Sequence, residues 1–194
     1  MALSIKIAGA AFSKIIGSLF NDPSFLTLVN CAASVVSVRP VYTFGTDSNG
    51  YANNSKYKLL ADGSFRAETA RTTAAGGVVV VLATTNNSTS FDAAGSFGVF
   101  GGAAAEVRVT QGVTGNIVPN RAAVTYVSGM GLRLRRVGAV MFADVSIDEW
   151  ATFTNIHEFT ATSSVTLYPM LVDLASVGAT TTVSRLHVTG ESLA

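Results

Sequence analysis

Short segments rich in Val, Thr and Ala, each ended by residues that favour turns, follow one another through most of this chain. From residue 34 onward apolar residues recur with the two-residue period of extended strands. The densest apolar run, residues 78–83, predicts a buried central strand, and residues 61–63 (Ala-Asp-Gly) predict a hairpin turn. A series of roughly eight to ten short strands is typical of a sandwich, jelly roll or barrel. We therefore expect an all-β, jelly-roll-like β-sandwich.

The first 33 residues follow a different pattern. Apolar residues recur at three- and four-residue intervals over residues 5–20, which predicts one short amphipathic helix, and Pro23 follows its end. We therefore expect a helical docking arm over residues 1–33 and a sandwich domain over residues 34–194. Three roles of the helix stay open: packing on its own domain, docking on a neighbouring subunit, and contact with a membrane. The residues expected to dock are Phe12, Ile16 and Phe20.

The composition argues against an enzyme. Charged residues make up only 13% of the chain, and two histidines and one cysteine supply neither a metal-ligand cluster nor an internal disulfide. The glycine-rich residues 95–102 fit no nucleotide fingerprint, and no Gly-x-Ser-x-Gly elbow is present. No apolar run is long enough to span a bilayer. We therefore expect a non-enzymatic protein with no cofactor, no metal and no membrane span.

His157 is the histidine with carboxylates nearby, but its neighbour Glu158 would point to the opposite face of a strand. Direct cooperation between the two side chains is therefore not expected. We expect a structural role for His157, and the functional alternative is an interface residue whose charge changes near neutral pH.

The most distinctive polar pattern is Leu-Arg-Leu-Arg-Arg at residues 132–136, which Arg108 and Arg121 extend from neighbouring strand candidates. Alternation along a strand would place arginines on one face and leucines on the other. Three interpretations stay open: a solvated outer face, pairing with acidic residues of a neighbouring subunit, and contact with nucleic-acid phosphates. The candidate residues for intersubunit or nucleic-acid contact are Arg133, Arg135 and Arg136.

Residues 124–135 (VTYVSGMGLRLR) resemble a strand of small icosahedral virus coat proteins, in which Val-Ser, glycine, a hydrophobic residue and arginine lead into a jelly-roll strand. Residues 180–190 (TTTVSRLHVTG) are similar to the last strand of such domains, and residues 165–169 to the strand before the final loop. The resemblance implies a jelly roll of about eight strands that forms a shell by self-association. The implied partners are copies of the chain and other virion proteins, with weak nucleic-acid contact.

The N-terminal segment departs from this family, because many coat proteins that package RNA begin with an Arg- and Lys-rich arm. The expected function is structural: self-assembly into a viral capsid or another virion component, with the virion as its location. Two alternatives stay open: a phage tail, decoration or fibre-attachment protein, and a lectin-like glycan-binding sandwich. The last would need an exposed aromatic residue near clustered Asp or Asn side chains. Its candidates are Tyr42, Tyr51, Trp150 and the loop 47–54.

Overall fold

The computed structural model describes residues 27–29, 31–36, 39–44, 51–53, 57–71, 78–84, 96–101, 106–112, 116–117, 119–160, 167–173 and 181–193. These ranges contain fourteen strands: β1 Thr27–Val29, β2 Cys31–Val36, β3 Arg39–Phe44, β4 Tyr51–Asn53, β5 Tyr57–Arg71, β6 Val78–Ala83, β7 Phe97–Gly101, β8 Val107–Gln111, β9 Asn116–Ile117, β10 Gly131–Val137, β11 Val140–Ser146, β12 Thr154–Thr160, β13 Tyr168–Asp173 and β14 Thr181–Leu193. The predicted helix, with Phe12, Ile16 and Phe20, lies outside the described residues.

The described strands form two seven-stranded sheets. Sheet A has the order β1-β4-β13-β6-β7-β8-β9, and sheet B has the order β12-β11-β10-β5-β14-β3-β2. Neighbouring strands pair antiparallel in both sheets. The all-β prediction is confirmed, and the predicted buried strand is β6 at the centre of sheet A. The sequence underestimates the strand number because β1, β4 and β9, of two or three residues, are too short to show a period.

The main hydrophobic core lies between the two sheets. Each strand alternates its side chains, so every second residue points into this layer. Sheet A contributes Ala52, Val80, Leu82, Phe97, Val99, Val107, Val109 and Leu171. Sheet B contributes Tyr42, Leu132, Leu134, Met141, Ala143, Val145, Ile156, Phe159 and Val183. The lone cysteine, Cys31, packs against this core as a partly buried side chain.

Sheet A is buried on its outer face as well. The side chains that alternate with its core residues form a second cluster of Val81, Ala83, Phe100, Met170 and Val172. Leu171 in the main core and Met170 in the second cluster are adjacent residues of β13, and both are fully buried. The two sheets therefore differ, since the outer face of sheet B carries partly exposed polar residues.

Two expectations about the chain path need correction. Residues 61–63 form no hairpin, because β5 runs unbroken from Tyr57 to Arg71 between β10 and β14. The turn-favouring residues instead coincide with an irregularity in the β5–β14 register, where Thr189 pairs with Ser64 but Glu191 pairs with Leu59. Residues 27–29 and 31–33, expected in the arm, are strand residues of the two sheets.

Residues 119–130 cross one side of the sandwich and link the two sheets. The N–H of Val107 donates to the carbonyl of Val124 at 2.9 Å on the side of sheet A. The N–H of Arg121 donates to the carbonyl of Ile156, also at 2.9 Å, on the side of sheet B. Among the described residues there is no helix with the length and apolar character that a membrane crossing requires.

Candidate ligand-binding site

The outer face of sheet B carries a cluster of polar and aromatic side chains on β10, β11, β12 and the turn between the last two strands. Strand β10 buries Leu132 and Leu134 in the core, so alternation turns Arg133 and Arg135 outwards, as the sequence predicts. We call this cluster the arginine face. It comprises Arg133, Arg135, Phe142, Asp144, Trp150, Phe153 and Asn155.

Asp144 is the centre of the arginine face. Its side chain is only 1% exposed, although it lies on the outer side of the sheet. Its Oδ2 accepts hydrogen bonds from Nε of Arg133 at 2.8 Å and from Nε of Arg135 at 2.7 Å. Nη2 of Arg133 lies 2.8 Å from the same oxygen. One buried carboxylate therefore orients two arginines through charge-assisted hydrogen bonds.

Each arginine also stacks on a phenylalanine ring. The guanidinium carbon of Arg133 lies 3.7 Å from the ring centroid of Phe153, and that of Arg135 lies 3.9 Å from that of Phe142. Such cation–π contacts hold the planar groups against the rings. The side chains of Arg133 and Arg135 nevertheless stay 21% and 30% exposed. Both guanidinium groups are thus fixed in orientation and still accessible from solvent.

Asn155 supports Asp144 from the neighbouring strand. Its Nδ2 lies 3.1 Å from Oδ1 of Asp144, 3.1 Å from the carbonyl of Ala143 and 3.0 Å from the carbonyl of His157. This geometry depends on a β-bulge, because His157 pairs with Ala143 while Asn155 pairs with Asp144, which leaves Ile156 as the extra residue of β12. The bulge turns the amide of Asn155 towards the carboxylate.

Asp148 stabilises the turn that follows β11. Its Oδ1 accepts hydrogen bonds from the hydroxyl of Ser146 at 2.7 Å and the N–H of Thr152 at 2.9 Å, and its Oδ2 accepts one from the hydroxyl of Thr152 at 2.6 Å. These bonds, those from Thr152 first, lower the pKa of Asp148 from 3.8 to about 2. The turn is therefore ordered by a carboxylate that stays ionised at neutral pH.

The turn places Trp150 on the arginine face. Glu149 and Trp150 have positive φ angles of 54° and 71°, and the N–H of Trp150 donates to the hydroxyl of Ser146 at 3.0 Å. A β-carbon at Gly131 would overlap with the indole ring, so the ring lies directly over the backbone of β10. Gly131 is two residues before Arg133, and Trp150 is therefore beside the arginine pair on the same face.

Strand register places further polar residues in line with the cluster. Asp144 is the register partner of Asn155 on one side and of Arg133 on the other. Arg133 pairs in turn with Arg66 on β5, which pairs with His187 on β14. Five polar residues thus occupy one row across five neighbouring strands.

The expected arginine patch is corrected at one position. Arg136 is only 1% exposed, because β10 continues to Val137 and alternation places Arg136 on the side of the leucines. It therefore cannot take part in an exposed polar face. Arg108 lies on sheet A and pairs with Glu106, whereas Arg121 pairs with Glu158 at 2.7 Å beside β12.

His157 is buried within its own chain, which agrees with the expected structural role and contradicts the alternative of an exposed interface residue. Its Nδ1 accepts a hydrogen bond from the N–H of Asn120 at 3.0 Å, and its ring centroid lies 4.2 Å from that of Phe159. Burial lowers the pKa of His157 below its ordinary value of 6.5, and the charge of Glu158 acts in the opposite direction. The register confirms that His157 and Glu158 point to opposite faces.

The structure distinguishes the aromatic candidates for sugar binding by their positions. Tyr42 is fully buried in the core, so it cannot contact a ligand. Tyr51 begins strand β4, and the rest of the loop 47–54 is described only for residues 52–53. Trp150 is the candidate that the structure places beside arginines, a carboxylate and an amide.

Two other kinds of site are less well supported by the described residues. In the part of the chain that the structure describes, no group of three or more His, Cys, Asp or Glu side chains could hold a metal ion. A cavity of about 190 Å³ lies between β8 and the segment 119–130, with Glu106, Arg108, Pro119 and Thr125 in its wall. Its charged residues, Glu106 and Arg108, already pair with each other. The arginine face is therefore the better candidate for ligand binding.

The sequence did not reveal Phe142, Asp144, Phe153 and Asn155 as members of this site. A signal for Asp144 exists, since it is a lone carboxylate within the apolar strand β11. An acidic residue in such a strand needs a cationic partner, and Arg133 and Arg135 belong to the preceding strand. The phenylalanines carry no comparable signal.

No protein-family model matches the sequence, and no curated protein is significantly similar to it. Solved structures do share the fold. The exoplasmic/lumenal domain of VIP36, bound to Ca²⁺ and Man3GlcNAc, aligns over 87% of this chain and 84% of its own, with a TM-score of 0.60 and 7% identity. The legume lectin-like domain from Entamoeba histolytica aligns over 85% and 89%, with a TM-score of 0.61 and 10% identity.

A third similar structure is the carbohydrate-binding module CBM66 from Bacillus subtilis. It aligns over 87% of this chain and 95% of its own, with a TM-score of 0.54 and 11% identity. At these identities the similarity establishes the fold, a lectin-like β-sandwich. The resemblance to viral coat proteins gains no support from these structures, and self-association and a virion location stay predictions.

Proposed function

We propose that this protein is a non-enzymatic glycan-binding module and that the sugar binds on the arginine face. Two independent lines support the proposal. The fold is similar to a domain that is bound to Man3GlcNAc, to a legume lectin-like domain and to a carbohydrate-binding module. The arginine face combines an aromatic ring, planar polar groups and restrained geometry, which suits recognition of a sugar.

The observation that carries the proposal is the burial and hydrogen bonding of the Asp144 carboxylate. A fully buried carboxylate on the outer side of a sheet costs desolvation energy unless it is fully hydrogen-bonded. Here it receives bonds from two arginines and one amide, while the arginines stay partly exposed and lie flat on phenylalanine rings. The arrangement orients donors before any ligand arrives, which lowers the ordering cost of binding.

Trp150 supplies the apolar part of the proposed site. Ligand sites combine aromatic surface with a few placed polar groups. The half-buried Trp150 offers part of its ring, whereas its Nε1 is buried against Gly131. A sugar ring has apolar C–H faces that stack on such a surface and hydroxyls that pair with planar donors. Trp150 over Gly131 and the arginine pair would contact these two parts of one sugar.

A glycan array probed with the purified full-length chain tests the proposal. Binding to at least one glycan is expected, and Trp150→Ala should weaken it about tenfold or more, the scale of losing one aromatic anchor. Arg108→Gln is the matched control, because this arginine is 31% exposed but belongs to sheet A. Its binding should equal that of the wild type.

Two results would contradict the proposal. One is an array with no bound glycan for a wild-type protein whose unfolding is cooperative. The other is glycan binding that Trp150→Ala and Arg133→Gln leave unchanged, which would place the sugar elsewhere on the molecule.

A further inference from the structure

We infer that the glycan bound at the arginine face is acidic, with carboxylate or sulfate groups that the two arginines recognise. This inference rests on the proposed function and narrows it to a class of ligand. It starts from the charges of the cluster. Arg133 and Arg135 bring two positive charges, and Asp144 brings one negative charge. The described cluster therefore keeps an excess positive charge that its own residues do not neutralise.

The acceptors of the cluster are not open to a ligand, because the carboxylate of Asp144 is hydrogen-bonded and Oδ1 of Asn155 is buried. Oδ2 of Asp144 faces Nε of both arginines, and its Oδ1 faces the amide of Asn155. The carboxylate is also almost completely removed from solvent. Asp144 is consequently unable to accept a hydrogen bond from a sugar hydroxyl, as an exposed carboxylate in a site for neutral sugars could.

The donor side is not saturated. A guanidinium group has five N–H donors, and Arg133 uses Nε and Nη2 for Asp144 while Arg135 uses Nε. Their remaining N–H groups have no hydrogen-bond partner among the residues that the structure describes. Planar arrays of such donors match the two oxygens of a carboxylate and those of a sulfate. The remaining N–H donors therefore favour the binding of an anion.

Stacking strengthens this preference. One face of each guanidinium lies on a phenylalanine ring, so that face is shielded from water while the edge remains accessible. Charge-assisted hydrogen bonds gain strength when the groups are partly desolvated and already oriented.

An acidic glycan accounts for these features better than nucleic acid does. The whole chain carries a net charge of +1, so it lacks the broad positive field that attracts a polyphosphate chain. The positive charge is instead confined to a small oriented cluster beside an aromatic residue. That arrangement suits an acidic glycan, in which each charged group is attached to a sugar ring that can contact the aromatic side chain.

Matched polymers test the inference. The full-length protein is titrated calorimetrically with polygalacturonate and with the same polymer methyl-esterified, and with heparin and desulfated heparin, alongside the glycan array. The array should return acidic glycans, and one acidic polymer should bind at least about tenfold more tightly than its neutral form. Arg133→Gln and Arg135→Gln should each lower that affinity by about tenfold, whereas Arg108→Gln should not change it.

A conservative variant separates recognition from folding. Arg135→Lys keeps the positive charge but loses the planar fork, so affinity should fall while its decrease with added salt remains. If all bound glycans are neutral, or if removing the acidic groups leaves affinity unchanged, the inference fails and the proposed function stands. If no glycan binds, the proposed function fails and the inference with it. If a single-stranded RNA binds more tightly than any glycan and both arginine variants abolish this, the face is a phosphate site and both are overturned.

Discussion

The indole ring of Trp150 lies directly over the backbone of Gly131, in the space that any β-carbon at residue 131 would fill. This contact joins two separate parts of the arginine face. It ties the turn after β11 to the first residue of β10, next to the strand positions of the arginines. Glycine at residue 131 is therefore required by close approach, although its backbone is in an ordinary strand.

Gly131→Ala tests this contact. The added methyl group would overlap with the indole, so the ring must leave the face or the strand must shift. We expect a loss of about 1–3 kcal/mol in the free energy of unfolding, the usual cost of overpacking. Because Trp150 is the single tryptophan of the chain, its fluorescence reports the displacement directly. Glycan affinity should fall together with the change in emission.

Gly138→Ala is the control for this substitution. Gly138 has a φ of 57°, but nothing lies within 4 Å of the position that its β-carbon would take. The variant should lose about 1 kcal/mol through backbone strain alone and keep the emission of the wild type. Equal emission changes in both variants would contradict the proposed contact of Trp150 with residue 131.

Acid should destabilise the turn after β11, which carries Trp150, by protonating Asp148. Its pKa of about 2 lies below the ordinary 3.8, so the folded state holds this carboxylate ionised more strongly than the unfolded chain does. The stabilisation by Asp148 is therefore complete above about pH 4 and is lost as the pH falls towards 2. Tryptophan emission should change over that window, and Asp148→Ala should show the changed emission already at pH 7. Emission of Asp148→Ala that matches the wild type at every pH would contradict this role.

Only those features of this chain that depend on near neighbours in the sequence could be predicted from the sequence. The strand period and the outward position of Arg133 depend on neighbours one or two residues away, and the sequence predicts both. Asp144 lies 11 residues from Arg133, and only the register of β10 on β11 brings the two together. Asn155 needs a further strand and a bulge at Ile156. No periodicity encodes such pairings, because they depend on how separate strands align.

The turn predicted at residues 61–63 is wrong because pairing with distant strands overrides the local preference. Ala-Asp-Gly at residues 61–63 favours a hairpin locally, yet β5 continues because long strands on both sides pair with it. The local preference is satisfied as a register irregularity instead. The sequence pattern also places Arg136 on the wrong face, because five residues do not reveal that β10 continues to Val137.

Burial on both faces of sheet A predicts two costly substitutions in adjacent residues. Leu171 points into the main core and Met170 into the second cluster, and both are fully buried. Leu171→Ala and Met170→Ala should each lower the free energy of unfolding by about 2–5 kcal/mol in urea titrations. Val137→Ala, at a half-exposed position, should change it by less than about 0.5 kcal/mol. A Met170→Ala cost as small as that of Val137→Ala would mean that the outer face of sheet A is open in solution.

His157 should make the stability fall in mild acid. Its Nδ1 accepts the N–H of Asn120 and holds the segment 119–130 on the edge of sheet B, which requires that nitrogen to be unprotonated. Because burial lowers its pKa below 6.5, the unfolded chain binds a proton first as the pH falls below that value. Stability is therefore unaffected by this group above about pH 7 and decreases from about pH 6.5 downwards.

Urea unfolding at pH 7.5 and pH 5.5 measures this difference in stability. The His157→Gln variant, whose amide oxygen can still accept a hydrogen bond, should show a smaller difference in stability between the two pH values. The His187→Gln variant is the control at the other histidine. If the pH dependence survives in His157→Gln and disappears in His187→Gln, the titrating group is on β14, and His157 is not the source.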